Sequence, residues 1–218
     1  MNHMINIWLD LTTQPMSLHP LQFGVTLLMY PCKAVIVIVL LDFITGVGHW
    51  VLDSYIHADT PILGRLYVDP DMPHHRYPRE FISLSYLQSS WDLLLVGGLI
   101  LLCAWALDRL TWEAWLFVAL GANTTLFHKW MHRSRRENGP LISLLHDLRL
   151  LQTPRQHARH HSGAKNTHYC IITNFLNPVL DAISFWTMLE RGIYRMSGVL
   201  PRSAESAMSA GFASRTGR

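Results

Sequence analysis

The sequence is poor in charge. Asp, Glu, Lys and Arg make up 15% of its 218 residues, against a usual level of about 25%. That scarcity argues against an ordinary cytosolic domain. Cysteine is scarce too: Cys32, Cys103 and Cys170 are the full set, two of them in apolar runs and none in a CxxC pair. A disulfide framework or a thiolate metal site is therefore not expected. No GxGxxG, P-loop or GxSxG occurs, so nothing points to a nicotinamide, flavin or nucleotide site, or to a nucleophile elbow. Met1 to Pro20 contains no Lys or Arg, which does not fit the basic start of a cleaved signal peptide. No internal repeat is visible.

What is present is apolar residues, aromatics and histidine. Half the chain is hydrophobic, and 8 Trp and 7 Tyr suit the interfacial belts of a membrane protein. The 13 His are the first sign of chemistry. Leu21 to Val51 is apolar apart from Pro31, Lys33 and Asp42. A span of ~20 residues fits at Pro31 to Trp50, with Pro31 in its first turn and Lys33 reaching back to the interface. Leu52 to Ser90 is polar and proline-punctuated, and reads as loop with short helix. Leu93 to Leu107 and Trp112 to Phe127 are apolar runs joined by Asp108-Arg109-Leu110-Thr111. They predict a helical hairpin that either crosses the bilayer or re-enters it.

Eight Lys or Arg then fall between Lys129 and Lys165. Tyr169 to Leu189 is only moderately apolar and is expected to pack on the domain or lie in the interface. The expected fold is all-α and membrane-integral, with about three to four transmembrane or re-entrant helices and a His-rich cytoplasmic cap. Its divisions are an N-terminal segment (1–30), a membrane-embedded domain (31–200) and a disordered tail (201–218). The positive-inside rule places the basic region in the cytoplasm. Because the hairpin leaves and returns, His49 and His128 emerge on the same side. An inner bacterial membrane is the expected location, or an endoplasmic reticulum or plastid membrane in a eukaryote.

Four groups of residues can carry chemistry. Asp42, His49 and Asp53 fall within about 40° of one another around a helix; alone they can equally be a polar helix end that pairs with a neighbour. His74 and His75 lie in a proline-bounded turn and can equally be solvated. His128 and His132 share a helix face, a weak signal by itself. His157, His160 and His161 stack three imidazoles on one stripe, which has no packing value and points to metal. Together, eight His and Asp53 exceed the needs of one tetrahedral zinc and suit two ions a few Å apart. Imidazole-rich sites admit Fe, Zn, Cu or Ni. Beside an apolar slot, attack on an unactivated lipid C–H bond favours a redox metal, hence iron. His57, His146 and His168 are left for supporting roles.

The motifs resemble those of the Kua/CarF-type lipid desaturases. That family includes plasmanylethanolamine desaturase, bacterial CarF and the plant plastid enzyme that desaturates an acyl chain of phosphatidylglycerol. The resemblance rests on Asp42-Phe-Ile-Thr-Gly-Val-Gly-His-Trp-Val-Leu-Asp53, His74-His75, His128-Lys-Trp-Met-His132 and His157-Ala-Arg-His160-His161. Tyr169-Cys-Ile-Ile-Thr-Asn-Phe-Leu-Asn-Pro-Val-Leu-Asp181, Phe185-Trp186 and Leu189-Glu190 complete it.

It implies a di-iron centre (Fe2+/Fe3+) with molecular oxygen as co-substrate. The metal ligands would be His49, His74, His75, His128, His132, His157, His160 and His161, with Asp53 as the catalytic carboxylate. It also implies a phospholipid substrate and an external electron donor of cytochrome b5 or ferredoxin type; no nucleic acid is implied. Arg133, Arg135 and Arg136 can dock an acidic carrier, or equally anionic headgroups. His146 departs from the family pattern, where Gln is expected, and the segment after His161 resembles the plant branch as well as the animal one. The expected reaction is formation of a plasmalogen vinyl ether. The alternatives are desaturation of an esterified acyl chain, a related lipid hydroxylase, and a histidine-rich metal-binding membrane protein.

Overall fold

A computed structural model of the chain describes residues 20–64, 78–162 and 166–204. The described residues are helical and irregular, without a strand. The elements are α1 (Pro20–Tyr55), α2 (Pro78–Ser83), α3 (Tyr86–Ala106), α4 (Trp112–Gly121), α5 (Thr124–His132), α6 (Arg135–Asp147), α7 (Pro154–His160), α8 (Asn177–Ala182) and α9 (Phe185–Ser197).

Helix α1 has 36 residues, with Pro31 inside it. The expected span from Pro31 to Trp50 lies inside this longer helix, which starts at Pro20 and ends at Tyr55. Proline removes one helical hydrogen bond, but the continuing apolar sequence on both sides keeps the helix going. At 1.5 Å per residue α1 is about 54 Å long, more than the ~30 Å hydrocarbon core. Helix α3 has 21 residues, beginning at a Ser85–Gln88 capping box, so the first arm of the hairpin is longer than its Leu93–Leu107 run suggests. It is long enough to span. Both helices expose their apolar residues, including Val35, Ile36 and Leu40 on α1 and Leu95, Leu99 and Leu102 on α3. Helices with the length and composition of spans (Gly24–Tyr55 and Tyr86–Ala106) and 11% of that window buried are not the core helices of a soluble protein.

The second arm of the hairpin is broken. After a turn at residues 107–111, which contains the expected Asp108–Thr111, α4 is capped by Thr111 and stops at Gly121. Asn123 then starts α5, which ends at His132. α4 lies along α1 and against α3. Lys33 Nζ meets Glu113 at 3.0 Å, and the rings of Tyr30 and Trp112 sit 5.7 Å apart. Further along, Leu41 approaches Gly121, and the rings of His49 and His128 are 5.2 Å apart. Successive pairs thus advance together along both elements, so α4–α5 runs parallel to α1.

Residues 169–173 form a buried, irregular strap across α1, followed by α8 and α9. Trp50, Tyr169, Cys170, Leu180 and Trp186 make the main core cluster there. The Tyr169–Leu189 segment packs on the domain, one of the two expected arrangements. Helix α6 opens with a Ser134–Glu137 capping box and is kinked at Gly139, whose φ of 71° suits glycine, before Pro140 resumes the helix.

Candidate metal centre

The side chains that could hold metal come from three helices. His49 and Asp53 are four residues apart on α1, His128 and His132 four apart on α5, and His157 and His160 lie on α7 with His161 as its C-cap. Helix α7 is only seven residues long, too short to persist alone. Thr153 caps it through a reciprocal box with Gln156, and Pro154 sits in its first turn. The backbone N–H of Gln152 donates to Ile172 O of the strap at 3.0 Å, tying the helix start to the core.

Two groups result. His128, His132, His157 and His161 form one, and His49, Asp53 and His160 the other, with ligand atoms within 4.8 Å of one another in each. In the first, neighbouring Nε2 atoms are 3.0–3.2 Å apart. Nitrogens about 2.1 Å from a shared ion would lie about 3.0 Å apart in an octahedron and about 3.4 Å in a tetrahedron. Four imidazole nitrogens converging so closely need a cation more than they need each other. Burial, reinforced by the surrounding His132, His160, His49 and His161, pushes His157 well below the usual imidazole range. It is therefore neutral at ordinary pH, the form a metal ligand must take.

In the second group Asp53 Oδ2 is 3.0 Å from His160 Nε2 and 3.2 Å from His49 Nε2. The other ring nitrogens fix the tautomers. His49 Nδ1–H donates to Tyr169 O at 3.0 Å and His160 Nδ1–H donates to Thr167 O at 2.9 Å. Both Nε2 lone pairs are thereby turned towards the carboxylate and whatever cation it shares. The two groups are neighbours, with the rings of His157 and His160 5.5 Å apart and those of His49 and His157 6.3 Å apart. The residues present fit a pair of adjacent ions.

Seven of the nine residues singled out from the sequence thus converge. His74 and His75 lie outside the described residues. The histidine stripe on α7 divides: His157 and His161 join one group and His160 the other. Asp42 shares the face of His49 and Asp53 but stands outside both groups. His168 is not among the clustered ligands; its Nδ1 pairs with Asp181 at 2.7 Å. His146 is also outside both groups and lines a small open pocket of about 260 Å³ with Arg135, Asp147 and Arg155. His57 lies in the turn that follows α1. Arg135 of the basic face is held by Asp147 in a bidentate pair at 2.6 Å.

Sequence reasoning missed the strap as a device, and with it Tyr169. Its carbonyl orients His49 and its ring packs edge-on against His49 and His160, at 5.6 and 4.8 Å. Its place in an apolar run beside Asn174 and Asn177 gave no periodic signal.

Residues 38–204 match the lipid desaturase domain. The chain belongs to the lipid desaturase family. It is 31% identical over 167 residues to fatty acid desaturase 4-like 1, chloroplastic, of Arabidopsis thaliana, covering 74% of this chain and 56% of that protein. It is 30% identical over 174 residues to plasmanylethanolamine desaturase 1 of Mus musculus, covering 74% of this chain and 64% of that protein. A plasmanylethanolamine desaturase of Myxococcus xanthus is 29% identical over 170 residues, covering 74% of this chain and 59% of its own length. The chain therefore spans a little over half to nearly two thirds of these relatives. No solved structure matches it. The matched region contains both candidate ligand groups and the strap.

Proposed function

We propose that this lipid desaturase is an O2-dependent di-iron oxidoreductase that forms the vinyl ether of plasmalogens from the 1-O-alkyl chain of an ether phospholipid. The observation that carries the metal reading is the pair of adjacent groups, four imidazoles beside two imidazoles and a carboxylate. His128, His132, His157 and His161 hold one ion, and His49, Asp53 and His160 hold the other. His74 and His75 are proposed to complete the ligand set. Bound iron would supply the redox chemistry that activates dioxygen, which unactivated C–H bonds require and zinc cannot provide. The reaction balances as a –CH2–CH2– unit, O2, two electrons and two protons giving –CH=CH– and two waters. An external one-electron carrier of cytochrome b5 or ferredoxin type supplies the electrons. Arg133 and Arg136 are its proposed landing points, on the cytoplasmic face.

The protein's own residues prepare the site. The carbonyls of Tyr169 in the strap and of Thr167 just before it hold His49 and His160 in the tautomer that offers Nε2. Tyr169 packs edge-on against His49 and His160, and the buried Trp186 backs Tyr169, which keeps water from that flank of the second group.

A second reading, desaturation of an esterified acyl chain, is supported by the plastid relative, which is as similar to this chain as the animal one. Lipid analysis of a host expressing the wild type or His160→Ala separates the readings. Acid-labile vinyl ethers present only with the wild type support the first. New acyl double bonds without vinyl ethers support the second. Lipids identical in the two strains refute both.

A further inference from the structure

Asp42 is fully buried within α1, and among the described residues no cation pairs with it. A carboxylate in a membrane span needs a purpose, and here it is the strap. Oδ1 accepts from the Ile172 N–H at 2.9 Å. Oδ2 accepts from the Thr173 N–H at 3.0 Å and the Thr173 hydroxyl at 2.5 Å. The other end of the strap is Tyr169, whose carbonyl takes the His49 Nδ1–H. Asp42 and His49 lie two turns apart on one face of α1. Between them Gly46 lets Cys170 come close: a Cβ there would stand 2.8 Å from Cys170 Sγ. Asn177 clasps Cys170 from the outer side, accepting its N–H at 3.1 Å and donating to its carbonyl at 2.8 Å. Thr167, whose carbonyl holds His160, is two residues upstream of the strap.

We propose that Asp42 is a positioning residue of the metal centre, fixing the register of residues 169–173 on α1 so that Tyr169 O and Thr167 O aim His49 and His160. The proposal rests on the metal-binding reading above. A carboxylate suits this place because all of its assigned partners are donors. An amide would turn its own N–H groups towards one of them. The two ligand groups depend on the strap unequally. Two of the three members of the His49–Asp53–His160 group take their Nδ1 partner from residues 167–169. The four-imidazole group is tied to the strap through the start of α7, by the Gln152 N–H to Ile172 O bond.

The test is cobalt(II) titration of the full-length protein in detergent, followed by the visible absorption of the bound ion, which needs no substrate. Asp42→Asn is expected to weaken one of two cobalt sites by roughly 10–100-fold, as loss of an outer partner does, leaving the other near wild type. Thr173→Val, which removes only the hydroxyl donor, should act in the same direction, and Thr173→Ser should restore binding. Wild-type titrations for both Asp42→Asn and Thr173→Val would overturn the proposal. So would equal weakening of both sites in Asp42→Asn beside a normal Thr173→Val, which marks general damage. If Asp42→Asn does not fold, the Thr173 pair decides: loss with Val and rescue with Ser support the proposal, and a normal Val variant overturns it. A wild-type protein that takes up neither cobalt nor iron overturns the parent reading and this one with it.

Discussion

Gly46 sits where α1 and the strap touch, and the contact is closer than any larger residue allows. A Cβ would meet Cys170 Sγ at 2.8 Å, its backbone N at 3.2 Å and its Cα at 3.3 Å. Gly46→Ala is expected to destabilise the protein by about 1–3 kcal/mol, the usual cost of overpacking. Cys170→Ala should relieve only part of it, because the backbone contacts remain; denaturation midpoints of the single and double variants check this. The histidines make a second prediction. His132→Ala and His160→Ala each remove a ligand from a different group, so each should lower bound metal from about two ions to about one. Elemental analysis decides: loss of both ions from either variant would mean that the groups do not bind independently. The sequence showed that these residues belong together but not how they divide. Around a helix His160 and His161 lie about 100° apart with His157 between them. A stripe that wide faces two neighbours, α1 on one flank and α5 on the other, and spacing along one helix carries no information about which flank meets which.

Among the elements, α7 depends most on its surroundings. Its seven residues and their C-cap bring three imidazoles to the site but cannot hold a helix unaided. The capping box could be read from Thr153 and Gln156, whereas the Gln152–Ile172 tie could not, since it joins backbone atoms of an irregular strap. Helix α1 shows the same limit: its apolar run was plain, but whether the helix continued back through Pro31 was not. Histidines of α6, α7 and the segment after α7 also govern the response to acid. Burial pushes His157, His146 and His168 below the usual imidazole range, in His168 despite the opposing pull of Asp181. Each therefore stays neutral in the folded chain at pH values where the unfolded chain binds a proton. This contribution is complete above the unfolded value of about 6.5 and is lost as pH falls below it. The metal-free protein should show a melting midpoint that falls between about pH 6.5 and 5 on account of these three rings. A midpoint independent of pH over that window would mean that these rings are solvated.

At the scale of the whole molecule, the parallel course of α1 and α4–α5 puts the chemistry at one end. The Lys33–Glu113 pair marks the other end, and 16 residues of helix from Lys33 to His49 cover about 24 Å, close to the thickness of a bilayer's hydrocarbon. Thus a charged pair and a histidine cage occupy opposite ends of an apolar column, as they would if the column spanned the membrane. The sequence anticipated the arrangement by parity: a hairpin that leaves and returns must bring His128 back to the side of His49. It could not say whether the hairpin crosses. That depends on α3, whose 21 residues become visible only when its capped start at Ser85 is included. A crossing hairpin puts the 107–111 turn and the start of α6 on opposite faces. In right-side-out vesicles, with the three native cysteines replaced, a membrane-impermeant maleimide should label Arg109→Cys from outside. It should reach Arg136→Cys only after the vesicles are opened. Labelling of both positions from one face would mean that α3 and α4 dip into the bilayer and return, leaving α1 as the only span among the described helices.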